Sequence, residues 1–288
     1  RQNATWLVEV DNYIDLFLCV QAKGFNSVLG LDTPALIMRH PLDLSDIGLY
    51  EDQKINQVVS PHQWKSWKNQ DVVARTTLNL QKDIDPKIVI TNTGTDFRNF
   101  RITEEWKNIQ ENGNIDYKGI VKGEDLTELF KTSKIIIDLS VGEWGNVIRG
   151  DYKSLNYAVI EGIKYGSVPL TLRHSLVPPF TSGDFHETSL DTADITAQVK
   201  YICNNWDSFL PKRLSNIEKL KKFFNRDNIA KSILSLYFKF VDKKEQDIKN
   251  LFLQTLNSKE FFKTANYAEM WMRNRYKSAG RKFNRKFL

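Results

Sequence analysis

An α/β fold on a parallel sheet is what this chain predicts, and three consecutive stretches predict it. Lys134 to Ser140 is a β-branched run with Ile135, Ile136 and Ile137 in succession, the pattern of a strand buried on both faces. Lys153 to Tyr165 has helix length and places Leu155, Ala158, Val159, Gly162 and Ile163 at helical spacing, one apolar stripe to lay on a sheet. Gly166 then offers that helix a left-handed end, and Ser167-Val168-Pro169-Leu170 re-enters as a buried strand.

The flanking elements continue the alternation. Lys87 to Thr91 is a short β-rich run that ends at a polar Thr93-Gly94-Thr95 turn; Ile115 to Val121 is a second candidate strand, and Glu124 to Thr132 a helix. A loop with Gly142, Trp144, Gly145 and Gly150 joins the buried strand to the helix that follows it. Parallel strands need such right-handed crossovers, so this half is Rossmann-like. Upstream, Pro34 to His40 and Gln57 to Ser60 are further strands, ending in Arg39-His40-Pro41 and Ser60-Pro61-His62. A histidine that closes a strand lies at the ligand-bearing edge of a sheet, which makes His40 the leading polar candidate; local capping is its plain alternative. Beyond residue 193 the pattern is helical, over 194–206, 211–224, 227–241, 245–256 and 259–273, without a chemical motif.

Length and composition bound the class. With 288 residues, 41% hydrophobic and 26% charged, the chain can fill one large or two medium domains. No apolar run approaches the ~20 residues of a membrane helix, and no cleavable signal is expected at its start. Cys19 and Cys203 lie in apolar helical patterns and share no metal-like spacing with the four histidines, so reduced thiols in a cytoplasmic protein are expected. The net charge of +6 sits in one place: residues 271–288 carry Arg273, Arg275, Lys277, Arg281, Lys282, Arg285 and Lys286 without an acid, which leaves the rest of the chain near −1. With Trp271, Tyr276, Phe283 and Phe287 interleaved, this tail suits the phosphates of nucleic acid; a solvated arm and a lipid-headgroup contact are the alternatives.

Several chemistries lack their motifs. There is no Gly-x-x-x-x-Gly-Lys-Ser/Thr phosphate loop, no Gly-x-Ser-x-Gly elbow and no zinc spacing. Asp83-Ile84-Asp85 precedes a strand and reads as a turn before Pro86, so no metal site is expected. Glu161, at the border of the apolar stripe, is either a surface carboxylate or one that accepts the two hydroxyls of a ribose.

The run Lys-Ser-Leu-Asn-Tyr-Ala-Val-Ile-Glu-Gly-Ile-Lys-Tyr-Gly-Ser-Val-Pro-Leu, with its preceding strand and glycine-containing loop, resembles the donor-binding domain of GT-B glycosyltransferases. Within that group it looks most like the DNA α-glucosyltransferases of T-even bacteriophages, which share its spacing over residues 134–172, with weaker echoes at 37–42 and at Val73-Ala74-Arg75-Thr76-Thr77. The resemblance implies an α/β protein of GT-B type with two Rossmann-like domains: a short N-terminal one over 1–72, a nucleotide-sugar-binding one over 73–240, and a helical extension with the basic tail over 241–288. It implies retaining transfer of glucose from UDP-glucose, with no metal and no permanently bound cofactor, to hydroxymethylated cytosine in double-stranded phage DNA, in the host cytoplasm. Glu161 would then bind the ribose, Arg75 and Lys82 the diphosphate, Ser154 and Leu155 the phosphates through backbone N–H groups, and Lys153 and Gly145 would line the donor site, with His40 facing the sugar. Two departures stand out. Lys153 occupies a position where related retaining enzymes often carry a glutamate, and Lys82 lies two residues later than the family's lysine. A polysaccharide or glycolipid acceptor, or a degenerate nucleic-acid-binding module, are the other readings.

Overall fold

The computed structural model describes residues 17–19, 35–37, 41–92, 94–141, 157–172, 180 and 183–231. They fall in two compact units, one comprising Leu44–Leu220 and the other Arg1–Asp43 with Lys221–Leu288.

In the second of these units a parallel pair joins β1 (Phe17–Cys19) to β2 (Ala35–Ile37) in the register Phe17 to Ala35. Cys19, expected in a helical pattern, is therefore on a strand. Leu42 bridges Asn225, donating to the Phe224 carbonyl at 2.7 Å and accepting from Arg226 N at 3.1 Å. The Asn225 side chain then caps the next helical turn, accepting from the backbone N–H groups of Asp227 and Asn228.

The unit Leu44–Leu220 is α/β and parallel throughout. Its strands are β3 (Ile55–Ser60), β4 (Lys87–Thr91), β5 (Ile115–Gly119), β6 (Ser133–Asp138), β7 (Val168–Leu172) and β8 (His186–Thr188), laid side by side as β5-β4-β3-β6-β7-β8. Numbered from β3, that is the order 3-2-1-4-5-6 of a dinucleotide-binding sheet. Between strands run α1 (Gln70–Thr76), α2 (Thr95–Phe100), α3 (Glu104–Asn112), α4 (Gly123–Thr132) and α5 (Tyr157–Lys164), and after β8 come α6 (Thr192–Asn204) and α7 (Leu210–Phe223). The expected boundary between 72 and 73 falls inside this unit. It separates β3 from its sheet, although β3 is hydrogen-bonded to both β4 and β6.

Alternation along each strand feeds both faces. Val58, Ile88, Ile90, Ile135, Ile137, Val168 and Leu170 join one continuous core with Val73 and Ala74 of α1 and Ile195, Val199 and Ile202 of α6. On the other face α4 and α5 pack together and against β6. There α5 approaches so closely that a Cβ on Gly162 would stand 2.7 Å from the Ile136 side chain. Pro169 is tolerated because β8 pairs only with Leu170–Leu172, which leaves the proline one neighbouring strand. At the amino edge Lys54 donates to the carbonyls of Phe130 and Ser133 at 2.9 and 2.8 Å and to Ser167 Oγ at 3.3 Å, tying β3, β6 and β7 at their starts.

Gly166 ends α5 as the sequence predicts. Its φ is +77°, Ser167 N returns to the Gly162 carbonyl at 3.0 Å, and a Cβ would meet the Leu49 backbone at 2.8 Å. Gly166→Ala combines the left-handed penalty with that clash and is expected to destabilise the fold by about 1–3 kcal/mol, read as a lower urea midpoint at unchanged m-value.

Candidate functional site

Strand order reverses between β3 and β6, and in parallel sheets ligands gather outside the carboxyl ends of strands at such a point. The residues placed there are Ser60, Pro61 and His62 after β3, and Asp138, Leu139, Ser140 and Val141 from β6.

The turn from β3 into α1 is held by buried polar contacts. Gln70, the first residue of α1, accepts from Ser60 Oγ at 2.5 Å and donates to the His62 carbonyl at 2.7 Å. Asn69, left-handed at φ 50°, donates from Nδ2 to the Leu139 carbonyl at 2.6 Å, and Val141 N donates to the Trp67 carbonyl at 2.7 Å. Asn92 at the end of β4 donates to the Pro61 carbonyl at 2.8 Å. The loop is thus stitched to both neighbouring strand ends, with few ways left to move. Behind it Trp64 is buried against Phe97, Phe100 and Trp106.

This geometry gathers four charged or titratable groups. Asp138 Oδ1 accepts from Ser140 N at 3.0 Å and from the Ser140 hydroxyl, and His62 Nε2 lies 3.6 Å from it. Burial pushes the His62 pKa down, partly opposed by Asp138, while Lys68 pushes it further down. Lys68, on the same turn, is itself lowered by burial, with Asp138 opposing and Lys65 adding to the shift. Lys65 lies over the Trp67 ring at 4.9 Å. A carboxylate, two lysines and a histidine at a sheet's switch point make an environment for an anionic ligand with polar hydroxyls.

The sequence-predicted residues divide into three groups. Glu161 is on α5, half-buried, with no hydrogen bond or ion pair among the described residues; burial raises its pKa and the charge of Lys164 partly offsets this. Arg75 is in the last turn of α1, where Asp71 accepts from Nη1 at 2.6 Å and Glu105 from Nε at 2.6 Å and Nη2 at 3.1 Å. Lys82 follows α1 and donates to the Glu111 carbonyl at 2.5 Å. Since α1 runs back from the carboxyl ends, Lys82 sits at the amino edge, before β4 begins. The partners of these two side chains, Asp71, Glu105 and Glu111, are not the residues at the switch point. His40, Gly145, Lys153, Ser154, Leu155 and the tail residues Arg273, Arg275, Lys277, Arg281, Lys282, Arg285 and Lys286 lie outside the described residues. Asp83-Ile84-Asp85 is a turn as expected, with Asp83 at φ 66° and Asp85 paired to Lys200 at 2.8 Å.

The sequence reading missed His62, Asp138, Lys65 and Lys68 as a group. The available signal was that Ser60-Pro61-His62 ends a strand just as Arg39-His40-Pro41 does. Its neighbour across the crevice became visible only with the strand order.

No protein-family model matches the chain, and no curated protein matches it. Solved structures match in shape, and the class they define is the GT-B type of α/β fold. Anabaena Alr3699/HepE with UDP and glucose superposes with a TM-score of 0.60 at 10% identity, over 81% of this chain and 66% of that one. A variant of S. aureus TarM, with UDP among its ligands, gives 0.60 at 12% identity over 82% and 46%. The pneumococcal O-GlcNAc transferase GtfA with UDP and GlcNAc gives 0.60 at 12% identity over 84% and 48%. This chain thus spans about half to two thirds of the length of those proteins.

Removing the Arg75 network tests its assignment as a structural pair. Asp71, Arg75 and Glu105 are each more than a third exposed, so Arg75→Ala is expected to cost less than about 1 kcal/mol in a urea titration.

Proposed function

We propose that the chain is a nucleotide-sugar-dependent glycosyltransferase that binds UDP-glucose outside the carboxyl ends of β3 and β6. The observation that carries this reading is Glu161: a half-buried carboxylate without a hydrogen-bond partner among the described residues, on the helix that connects β6 to β7. A carboxylate in that state is relieved by two neutral donors, and the paired hydroxyls of a ribose supply them. Lys68 and Lys65 take the role first given to Arg75 and Lys82, neutralising the diphosphate as it departs. The UDP and sugar ligands of the structural neighbours, and the resemblance of residues 134–172 to retaining enzymes, support the same donor. Transfer is then retaining, with the acceptor hydroxyl attacking the face the diphosphate leaves and passing its proton to that leaving group.

The acceptor is the finer part of the proposal. The resemblance to phage DNA glucosyltransferases and the basic, aromatic tail favour a hydroxymethylated cytosine, flipped from the duplex to be reached. The name of the neighbour GtfA, an O-GlcNAc transferase, favours a different class of acceptor hydroxyl.

Two measurements test the reading. Glu161→Ala is expected to weaken UDP-glucose binding roughly tenfold to a hundredfold, the loss of hydrogen bonds to a charged group, while Lys68→Ala lowers turnover more than binding. Unchanged binding in the first variant would remove the ribose role. Incubation with nucleotide sugars and hydroxymethylcytosine DNA, followed by mass analysis of the nucleosides, is expected to show a hexose on the modified base. Transfer only to glycan or lipid acceptors would overturn the DNA assignment and keep the enzyme class.

A further inference from the structure

His62 is 5% exposed, and its Nε2 has no hydrogen-bond partner among the described residues. The Ile137 backbone favours the charged ring. In the Nδ1–H tautomer of the neutral ring, Nε2 carries the lone pair. That lone pair faces Asp138 Oδ1 at 3.6 Å, beyond hydrogen-bond range. Two acceptors therefore confront each other inside the sheet edge, an arrangement that burial makes costly.

A single proton on Nε2 turns the confrontation into a charge-assisted hydrogen bond. In the free protein burial and the positive charge of Lys68, on the turn after β3, oppose that proton; Asp138 of β6 favours it. An anion seated outside β3 and β6 offsets Lys68 and adds negative potential beside the ring, so the balance moves toward the imidazolium. Asp138 already holds the turn after β6 through Ser140, and a further donor would fix that turn against the loop carrying Lys68.

We propose that His62 is a positioning residue that takes up a proton from solvent when the diphosphate of a nucleotide sugar seats at the switch point, closing an Nε2–H hydrogen bond onto Asp138. The proposal rests on the donor reading above. It deepens that reading by making donor binding and protonation linked events.

The test follows the His62 ring by nitrogen-15 NMR on the full chain from about pH 5 to pH 8, alone, with UDP-glucose and with inorganic pyrophosphate. Each phosphate of UDP-glucose keeps one negative charge across that range, so a proton taken up belongs to the protein. Alone, His62 is expected to titrate below its ordinary value of 6.5. With UDP-glucose it is expected to titrate about one unit higher or more, and affinity should fall as pH rises between the two values, by up to about tenfold per pH unit. H62Q, which cannot take the proton, should lose the fall in affinity between those two values. An unshifted ring in the complex, or the same pH slope in H62Q, overturns the proposal. Should H62Q fail to fold, the titration of the wild-type ring still decides. If UDP-glucose does not bind at all, the donor reading fails, and pyrophosphate decides His62 alone: a raised titration supports it and an unchanged one overturns it.

Discussion

Everything placed at the candidate site depends on one pairing, β3 beside β6. These strands are separated in sequence by β4 and β5, yet Val58 pairs with Ile135 and Val59 with Ile136, all four fully buried. Because side chains alternate, slipping this register by one residue would exchange the residues given to the α1–α6 face with those given to the α4–α5 face. The pairing also aligns the carboxyl ends of both strands, so that Ser60-Pro61-His62 and Asp138-Leu139-Ser140 meet. The connections leave in opposite directions along the sheet and, being right-handed, lie on opposite faces, which leaves the space between these ends unfilled by a crossover. The site is a consequence of topology before it is a consequence of any side chain.

Much of the sheet was legible because its strands are written in buried β-branched residues. Lys87–Thr91 was read to its observed limits, and the runs at 57–60, 134–140 and 167–170 each overlap a strand. The helix and its stop were legible for a related reason: a glycine at 166 and an apolar stripe before it leave few alternatives. What could not be read was which strand ends face each other, since that is settled by contacts between distant residues such as Val58 and Ile135. Arg75 shows how the fold assigns neighbours different surroundings: in Val73-Ala74-Arg75-Thr76-Thr77, Val73 and Ala74 are the buried face of α1 and Arg75 belongs to its exposed side, paired to Asp71 one turn back. A lysine such as Lys68 carries no local mark of function, because its significance comes from the strand that precedes it.

Asp138 and Glu161 illustrate how burial alone divides roles. Asp138 is nearly inaccessible but accepts two hydrogen bonds from Ser140, so its charge is held within the fold. Glu161 is more exposed yet has no donor among the described residues, and burial raises its pKa. The satisfied group is structural in the free chain. The unsatisfied one gains most from a ligand with neutral hydroxyls, because binding then removes a desolvation cost that already exists.

The same argument separates the cations. Lys54 is buried at the amino edge with three acceptors within reach, and it serves as an internal tether. Lys68, at the carboxyl edge, is lowered by burial and by its neighbour Lys65, so two like charges are held close on one short turn. Keeping like charges together is unfavourable unless something anionic relieves them, and Asp138 is a single carboxylate that faces both Lys68 and His62. A diphosphate brings more negative charge to that edge than Asp138 does. Its binding relieves the repulsion between the lysines, so the electrostatics of this edge and the chemistry proposed for it are complementary.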